Sequence, residues 1–438
     1  MSQITADHAH GAETFDSHFG PIDLSSANTR TPAGWGGGLM IGLIALGLLC
    51  LGATAAYGFM AGTGEHAHEH VKNAWLSYHV GVIVTIGLML GCLGLVLIMR
   101  ATQAGWTVSM RRQMENVASL LPLSVVLILP LLLSGHNLWH WMDTQAVAND
   151  AVFKAKAGYF IPWFFWGRIA LYVAVWSLLG WRMFTLSRRQ DATGDKSLTL
   201  LAQRDSAWGL LAFGLTTAFA AFDLSMSLDY HWFSTMFGVY FFAGNMVGGT
   251  ALVILILCVL RGVGVMKGLV TSEHFHDLGK LLLAFTIFWA YIGFSQYFLI
   301  WYANIPEETA WMVARAHGGW ENVGKLMMFG HFIVPFVILL FRKVKTTPSL
   351  LAILALWQIA MCCVDVFWQV RPVLMIGHGG ETDPVAVSHF TFAWVDITGL
   401  LGPLLLMLGL VVWRIKSGPL VALKDPRLAE ALNHKNYV

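Results

Sequence analysis

The sequence predicts an all-α integral membrane protein with ten transmembrane helices, and three observations support this fold class. Of the 438 residues, 56% are hydrophobic and only 12% are charged, about half the charged fraction of an average soluble domain. The mean hydropathy is +0.63. Ten apolar runs each approach or exceed the roughly 20 residues that cross a bilayer, and the basic residues are divided unequally between the loops that join them.

The ten predicted spans follow one another closely along the chain. They cover about residues 34–61, 72–99, 114–138, 159–184, 207–228, 235–260, 280–302, 320–341, 348–371 and 389–413. Residues 1–33 form a polar N-terminal tail without the basic segment of a signal peptide, so the first span is expected to be retained. Residues 415–438 form a C-terminal tail. Pro122, Pro130 and Pro335 are expected to bend the third and eighth helices without ending them.

The distribution of lysine and arginine predicts the orientation of the chain. With the N-terminus on side one, twenty of the 27 basic residues fall on that side and five on the other, while Arg168 and Lys325 lie within spans. A missed or extra helix would have scrambled this ratio. Because basic loops are retained in the cytoplasm, both termini are predicted to be cytoplasmic. The same pattern argues against a nucleic-acid surface.

Spans two to five resemble spans six to nine. Trp166-Gly167-Arg168 in span four corresponds to Phe329-Gly330-His331 in span eight, and Asp223 in span five corresponds to Asp365 in span nine. The same order of similar segments predicts two four-helix bundles in a parallel repeat, at about 72–228 and 235–371, with spans one and ten beside them. The alternative is chance similarity among apolar helices.

Ionisable side chains inside a bilayer cost several kcal/mol, so they mark candidate sites. Arg168 and Asp223 are expected to pair in the first bundle, and His331 and Asp365 in the second. Each pair either locks its bundle or binds a quinone head group or passes protons. The other ionisable residues within predicted spans are His79, Glu115, Glu321, Lys325 and Asp396. Glu321 and Lys325 have the spacing of a structural helical salt bridge.

The depths of these groups predict that the polar chemistry opens to the outside. From the helical rise, His79, Asp223, Asp365 and Asp396 lie roughly 7–11 Å from the outer ends of their spans, and Arg168 and His331 roughly 13–17 Å. Below His331, span eight is wholly apolar. The resulting hypothesis is an outward-facing proton half-channel. Its residues are His331, Asp365, Asp396, Lys325 and Glu321.

Two histidine groups lie near the outer surface. His136, His140 and Asp143 have a spacing that places them on one helical face, which is a candidate quinol or metal site or an ordinary interfacial polar face. With His79, Arg168 and Asp223, the two histidines form a hypothetical quinone-adjacent site in bundle one. His66, His68 and His70 alternate in the first outer loop, where a solvated loop or partner contact is the alternative to a metal.

No redox cofactor of its own is predicted for this chain. Its five cysteines all lie in apolar runs, and neither CxxC nor CxxCH occurs, so iron–sulfur ligation and c-type haem attachment are unsupported. Bis-histidine haem needs pairs of histidines on facing helices, but only His79 and His331 lie well within spans, in different bundles. No metal ligand set is predicted either.

The chain resembles the NrfD family of membrane subunits, which share ten spans and duplicated four-helix bundles. The histidine-rich loop Gly64–His70, the run Trp75–His79 and the segment Gly135–Trp141 most closely resemble the ActF-type subunits of bacterial alternative complex III. That complex oxidises quinol and reduces cytochrome c or its equivalent. The resemblance covers essentially residues 34–414, although no quinone-ligand motif can be transferred residue by residue.

The resemblance implies a multi-pass subunit in the bacterial inner membrane, with quinol bound at or near it on the outer side. Haem c and iron–sulfur clusters are expected in partner subunits. The implied partners are a sister ActC-like NrfD-type subunit, a periplasmic iron–sulfur subunit, multihaem cytochrome c subunits, small membrane subunits, lipids and, as a further candidate, a terminal oxidase. Two alternatives stay open: an independent secondary transporter and a purely structural anchor.

Overall fold

The computed structural model describes residues 14–18, 20–60, 67–143, 145, 147–372 and 389–436. Within this part of the chain, ten helices are long and apolar enough to cross a membrane. The predicted all-α membrane fold is therefore confirmed. The spans, numbered one to ten, are Gly37–Phe59, His70–Ala101, Gly105–Leu133, Pro162–Thr193, Ser197–Leu228, Phe237–Gly262, Ser272–Ala303, Trp320–Leu340, Pro348–Val370 and Trp394–Lys416.

Several spans are longer than hydropathy alone predicted. Spans two, four, five and seven each contain 32 residues, about 48 Å of helix, whereas the apolar core of a bilayer is about 30 Å thick. The extra turns of spans four, five and seven lie mainly in polar sequence, such as Arg188–Thr193 and Ser197–Ser206. A helix continues there because its backbone hydrogen bonds do not depend on the lipid.

Proline interrupts span three, contrary to the prediction, whereas span eight stays helical through its proline. Pro122 was expected only to bend span three, but regular helix stops at Ala118 and resumes at Leu123. Pro130 lies inside the second segment, Leu123–Leu133. Span eight consists of the helix Trp320–Leu326, a π-helical segment Met327–Ile333 and the helix Val334–Leu340, in which Pro335 is near the start.

The helices form two closed groups of four. In bundle one, spans two, three, four and five each contact the next, and span five returns to span two; spans six to nine make the same circuit in bundle two. Spans two and six join the bundles, and span ten packs on spans one and two. Span two is the central helix, with 94% of its apolar window buried, against 11% for span one. A common sequence origin of the two bundles stays a prediction.

Both ends of the described chain fold over the same end of the helices, which we call the terminal face; the opposite end is the distal face. Strands β1 (Thr14–Ser17) and β2 (Gly20–Asp23) form an antiparallel hairpin. The C-terminal segment crosses this face, with Leu420 N–H donating to Thr29 O at 2.8 Å. The short helices are Ser26–Thr29, Arg342–Thr346 and Leu428–Leu432 at the terminal face and Gly135–Leu138, Ala151–Lys156 and Pro306–Val313 at the distal face; a 3₁₀ turn covers His140–Met142.

A buried charge network lies just inside the terminal face. Glu115 Oε1 accepts from Arg100 Nη2 at 2.8 Å and from Arg111 Nε at 3.2 Å, while Arg112 Nε lies 3.8 Å from Oε2. Arg111 also binds Asp425 of the C-terminal segment at 2.5 Å. The network therefore connects spans two and three to the folded C-terminus. Arg112 additionally pairs with Asp191 of span four.

Candidate functional site

The first polar cluster surrounds Asp223 near the distal end of span five. Asp223 is fully buried, and its Oδ2 and Oδ1 accept from Arg168 Nε at 2.8 Å and Nη2 at 2.7 Å. Tyr159 donates to Oδ1 at 2.8 Å and Tyr172 to Oδ2 at 2.9 Å. Bidentate pairing and two further donors satisfy the carboxylate, as a buried charge requires. The expected pair of Arg168 and Asp223 is thus present as a closed ion pair.

Removing one partner of this pair is expected to destabilise the fold more than removing both. Asp223→Leu leaves Arg168 facing apolar surroundings and should lower the free energy of unfolding by about 3 kcal/mol, the lower end for a broken buried pair because Arg168 is partly exposed. The double substitution Arg168→Leu/Asp223→Leu should recover much of this loss. Thermal unfolding of the purified chain in detergent measures both variants. Equal damage in the single and double variants would contradict a neutralising role.

The second polar cluster surrounds Asp365 in span nine. Tyr240 of span six donates to Asp365 Oδ1 at 2.6 Å, and Trp289 Nε1 of span seven donates to Oδ2 at 3.0 Å. The imidazole of His331 in span eight stacks on Trp289 with ring centroids 4.0 Å apart. Asp365 and His331 are both buried. One side chain from each of the four helices of bundle two therefore meets at this cluster.

The expected direct pair of His331 and Asp365 is not formed. The Asp365 carboxylate accepts hydrogen bonds from neutral donors. One of them, Trp289, also stacks on His331 and so connects the two groups indirectly. His331 Nε2 is instead 3.9 Å from Cys362 Sγ, and Nδ1 has no hydrogen-bond partner. The reason is local geometry, because His331 belongs to the π-helical segment, which changes the direction of its side chain relative to an α-helix. Such segments are frequent at functional sites.

A second indole holds the π-helical segment in place. Trp357 Nε1 of span nine donates to the carbonyl oxygen of Gly330 at 2.6 Å. Gly330 precedes Pro335 by five residues, and proline has no N–H with which to complete a π-type bond to it. The position of His331 is therefore fixed by a proline and a tryptophan that carry no charge. Because Pro335 and Trp357 are uncharged, the pattern of ionisable residues in the sequence does not mark them.

The buried polar side chains of span nine extend from Asp365 in both directions. Gln369 follows Asp365 by four residues, and Cys362 and Gln358 precede it by three and seven. At this spacing, all four side chains share one helical face. Each is buried. Gln358 Nε2 donates to Thr286 Oγ1 of span seven at 2.8 Å. This face forms a polar line from the distal end of span nine to below its middle.

A small cavity of about 20 Å³ adjoins Asp365 where the two bundles meet. Its lining includes Asn245, Cys362, Asp365 and Gln369. Asn245 Nδ2 and Gln369 Oε1 are buried without a protein hydrogen-bond partner. A space of this size holds about one water molecule, and buried polar atoms of this kind are commonly satisfied by one. The cavity can therefore extend the hydrogen-bonded cluster of Asp365 towards span six.

Asp396 does not lie at the depth predicted for it. Span ten begins at Trp394, not at residue 389, so Asp396 is in the first helical turn, only about 3 Å from its end. Its Oδ2 accepts from Ala393 N–H at 2.9 Å and from Arg371 Nη2 at 3.2 Å, while Ser77 donates to Oδ1 at 2.6 Å. These contacts make Asp396 a helix cap and a closed ion pair that joins spans nine, ten and two.

The predicted salt bridge between Glu321 and Lys325 is not formed either. Glu321 Oε2 accepts from Gly319 N–H at 2.7 Å, so the carboxylate caps the start of its own helix, where the helix dipole favours a negative charge. Lys325 is exposed on the surface of span eight. Both residues lie at the distal end of the span, away from the buried cluster of His331 and Asp365, and the geometry gives them no place in the hypothetical proton path.

His79 occupies a separate, fully buried site in span two. Its Nε2 donates to the carbonyl oxygen of Leu224 at 2.7 Å, so the other ring nitrogen, Nδ1, carries the lone pair when the imidazole is neutral. Nδ1 has no hydrogen-bond partner. The ring meets Trp139 edge to face, with centroids 5.4 Å apart. His79 thus links span two to the end of span five, where Leu224 follows Asp223 directly in the chain.

The histidines after span three line one cavity, although not as one helical face. The helix ends at Leu133, and Trp139 is extended, so the predicted helical spacing is wrong. His136, His140 and Asp143 nevertheless line a cavity of about 460 Å³ together with Lys72. Burial, and next the nearby Lys72, lowers the pKa of His140. This keeps the imidazole neutral at pH 7 and able to accept a hydrogen bond.

The histidine-rich first loop is described only in part. His66 and the side chain of His68 lie outside the described residues. His70 Nδ1 lies 2.7 Å from Tyr57 Oη, and the two rings meet edge to face. This contact joins the start of span two to the end of span one. For His70, the structure therefore gives a helix-to-helix contact.

Sequence reasoning missed a cluster of one carboxylate, one tyrosine and one histidine at the distal face. Asp150 Oδ2 accepts from Tyr230 at 2.7 Å and lies 2.7 Å from His231 Nε2. Partial burial raises the pKa of Asp150, but hydrogen bonds from Tyr230, the Phe153 N–H and His231 outweigh it and lower that pKa to about 2. Asp150 also caps the helix Ala151–Lys156. It joins the loop before span four to the loop before span six.

An aromatic cavity of about 350 Å³ lies between the Asp150 cluster and the Asp223 cluster. Its lining includes Tyr159, Phe160, Phe222, Tyr230 and Phe233. The Tyr159 hydroxyl connects it directly to Asp223, and the aromatic walls favour a flat apolar ring. Among the residues that the structure describes, no group of three or more His, Cys, Asp or Glu side chains is arranged to hold a metal ion.

Comparisons with known proteins do not assign the chain to a family. No protein-family model matches the sequence, and no curated protein matches it. The structure and sequence establish a multi-pass, all-α membrane protein with two four-helix bundles. The function must therefore be argued from the polar clusters themselves.

Proposed function

We propose that this chain is an integral membrane subunit, without a redox cofactor of its own, of a quinol-oxidising respiratory complex of the alternative complex III type. It anchors the complex in the bacterial inner membrane, with the terminal face in the cytoplasm. In this proposal it also provides an outward-facing proton half-channel in bundle two. The electron carriers belong to a periplasmic iron–sulfur subunit and multihaem cytochromes, and a sister NrfD-like subunit lies beside it.

The observation that carries this proposal is the one-sided polar face of span nine. Gln369, Asp365, Cys362 and Gln358 reach from the distal end to about 18 Å below it. From Trp357 to Pro348 the helix is apolar except for Ser349, and span eight is apolar from Phe332 to Leu340. Dry apolar packing offers no relay for protons. The polar route therefore supports a channel open to one side, which ends near Gln358 and Thr286.

A half-channel of this kind suits a subunit next to a quinol site. Quinol oxidation releases two protons, which must leave towards the outer side if energy is to be conserved. Asp365 is held by neutral donors and has no cationic partner among the described residues, so it can change its charge without breaking an ion pair. Asp223, in contrast, is fixed by Arg168. The two carboxylates, which correspond in the predicted repeat, therefore differ in their contacts, and only Asp365 is suited to carry protons.

The aromatic cavity beside Tyr159 is where a quinol ring would meet this chain. It lies at the distal face, where the Tyr159 hydroxyl in its wall is bound to Asp223. Lys156, Ser227, Asp229 and Tyr230 are the other polar side chains of its lining. This arrangement offers flat apolar walls and a hydrogen-bonding group at one end, as a quinone head group requires. Bundle one then contributes to the quinol-adjacent side and bundle two to proton release.

Replacing Asp365 by asparagine tests the proton role. The amide keeps the shape and most of the hydrogen bonds of the carboxylate but cannot take up or release a proton at neutral pH. We expect the assembled complex to form and its quinol oxidation, or the proton release coupled to it, to fall by roughly a factor of 100, the lower end for a positioned proton-transfer group. Turnover and acidification are measured on the purified complex in proteoliposomes.

A matched control separates this effect from general damage. Glu307→Gln removes a carboxylate charge from an exposed position at the distal face and should leave turnover unchanged. If assembled complex carrying Asp365→Asn keeps full turnover and full proton release, Asp365 is only structural and the half-channel does not exist.

The proposed orientation is tested by cysteine labelling in intact cells. Lys196→Cys introduces a thiol at an exposed turn of the terminal face, and Glu307→Cys introduces one on the exposed surface of the short distal helix Pro306–Val313. A membrane-impermeant maleimide should label Cys at 307 from outside and label Cys at 196 only after permeabilisation. The unsubstituted chain, whose cysteines all lie within spans, gives the background. Labelling of position 196 in intact cells would reverse the orientation.

The composition of the solubilised assembly separates this proposal from the alternatives. A tagged chain purified from its native membrane in mild detergent should bring multihaem and iron–sulfur subunits, visible in the absorption spectrum and by mass spectrometry. An independent transporter would purify without them. A purely structural anchor would purify with them but would tolerate Asp365→Asn.

A further inference from the structure

Four basic side chains at the terminal face form no ion pair with any described residue. Arg30 precedes span one, Arg188 lies near the end of span four, and Arg414 and Lys416 end span ten. The carboxylates nearby are already engaged, since Asp191 pairs with Arg112 and Asp425 with Arg111. From this unbalanced cluster we infer a binding site for the phosphodiester head group of an anionic phospholipid.

The two arginines are held side by side by neutral contacts. The guanidinium carbons of Arg414 and Arg188 lie 4.6 Å and 5.9 Å from the centre of the same Phe184 ring. Arg414 Nε donates to Ser119 Oγ at 2.9 Å, and Arg188 Nη2 donates to the carbonyl oxygen of Ser417 at 3.3 Å. Both groups keep free N–H donors. Like charges held this close repel each other, and a bound anion relieves that repulsion.

Lys416 and the start of span one complete the cluster. An ideal Cβ on Gly37 would lie 3.4 Å from Lys416 Nζ, and one on Gly36 would lie 3.5 Å from its Cδ, so the lysine side chain lies across this glycine segment. The first N–H groups of the 24-residue helix that begins at Gly37 have no partner within the helix and carry its positive dipole. Glycine leaves them accessible. Lys416 follows Arg414 by two residues, so these donors and the arginines lie at the same end of span ten.

The surroundings indicate a membrane lipid rather than a soluble anion. Trp413 is 46% exposed beside Arg414, and Trp181 is 56% exposed two helical turns before Arg188. Exposed tryptophans at helix ends are typical of the membrane interface. Leu178, one turn farther along span four, is also exposed. A lipid whose head group contacts the arginines can therefore lay its acyl chain along span four. Basic pockets at helix ends are common lipid sites.

The neighbouring buried arginines differ from this cluster because carboxylates neutralise them. Arg100, Arg111 and Arg112 also lie near the terminal face but are buried and share the carboxylates of Glu115, Asp425 and Asp191. That network is neutral overall. The excess positive charge therefore comes from side chains outside this network, and Arg30, Arg188, Arg414 and Lys416 are four of them.

Native mass spectrometry of the full chain in neutral detergent tests this site. With equal amounts of phosphatidylglycerol and phosphatidylcholine, we expect one phosphatidylglycerol to be retained at least fivefold more often. The variant R188Q/R414Q should lose this preference. Because those arginines also bind Ser119 and Ser417, a second variant, R30Q/K416Q, changes only exposed side chains without such bonds and should weaken the preference at least twofold.

The matched control is R342Q/K343Q, which removes the same charge from exposed positions elsewhere on the terminal face and should retain the lipid. Equal retention of the two lipids, or equal loss in the control variant, overturns the site. Inorganic phosphate at millimolar concentration should not displace the lipid. Displacement by phosphate alone would show an anion site without lipid specificity and would also overturn the assignment.

Discussion

Replacing Glu115 by glutamine is expected to destabilise the chain by about 3–5 kcal/mol, the usual effect of removing one charge from a buried ion-pair network. Glu115 is fully buried and is the one carboxylate that Arg100, Arg111 and Arg112 share. Without its charge, three buried guanidinium groups face one another and only Asp425 and Asp191 remain to neutralise them. The amide oxygen can accept one of the lost hydrogen bonds but cannot offset the repulsion.

The effect should extend to the C-terminal segment. Arg111 holds Asp425, and Gln113 Nε2 from the same helix donates to the carbonyl oxygen of Leu420 at 2.7 Å. We therefore expect the midpoint of thermal unfolding in detergent to fall and residues 417–436 to become sensitive to protease. The control Glu307→Gln changes the same functional groups at an exposed position, where the cost should be no more than about 1 kcal/mol. A Glu115→Gln variant as stable as this control would show that the arginines are neutralised in another way.

The helices could be predicted because lipid imposes one strong constraint on the sequence. A spanning segment must be both apolar and helical, so hydropathy found all ten spans. It placed their ends poorly wherever a helix continues into polar sequence, as at Arg188–Thr193, or starts later than the apolar run, as at Trp394. That second error changed the assigned depth of Asp396 from roughly 10 Å to about 3 Å.

Of the two predicted pairs of opposite charge, one is formed and the other, between Glu321 and Lys325, is not. Arg168 and Asp223 must neutralise each other in the membrane, and they do. Asp365 was singled out by its depth, but its partners Tyr240 and Trp289 were not, because both are uncharged and nothing in their spacing marks them as hydrogen-bond donors. His331 is directed by a π-helical segment that depends on Pro335 and Trp357, which lie on different helices.

The tertiary contacts that bring the bundles together were also beyond sequence reasoning. Gly91 was one of 44 glycines, and nothing in its local sequence distinguishes it from Gly42 or Gly52 on the exposed span one. Its importance appears only when span six lies against span two. The same contact brings Asn245 beside Asp365 and forms the small cavity between the bundles.

Replacing Gly91 by leucine is expected to prevent the two bundles from closing. A Cβ at this position would lie 1.9 Å from the carbonyl oxygen of Asn245 and 2.9 Å from the Cα of Gly249, and both of these are backbone atoms. Gly249 is equally restricted, since its Cβ would lie 2.5 Å from the carbonyl carbon of Gly91. No side-chain rotation can relieve such contacts, so the helices must separate. We expect a loss of at least about 3 kcal/mol, the upper range of ordinary overpacking.

A graded series distinguishes this packing effect from a general intolerance of larger residues. Gly91→Ala should already lower the unfolding midpoint, Gly91→Leu should lower it further or abolish the folded chain, and Gly214→Leu should have little effect because an added Cβ there meets no atom within 4 Å. Fluorescence-detected size exclusion after heating measures all three in detergent. Separation of spans two and six also disturbs the small cavity beside Asp365, because both spans line it. If Gly91→Leu instead matches Gly214→Leu, the close crossing of the two spans is not what holds the bundles together.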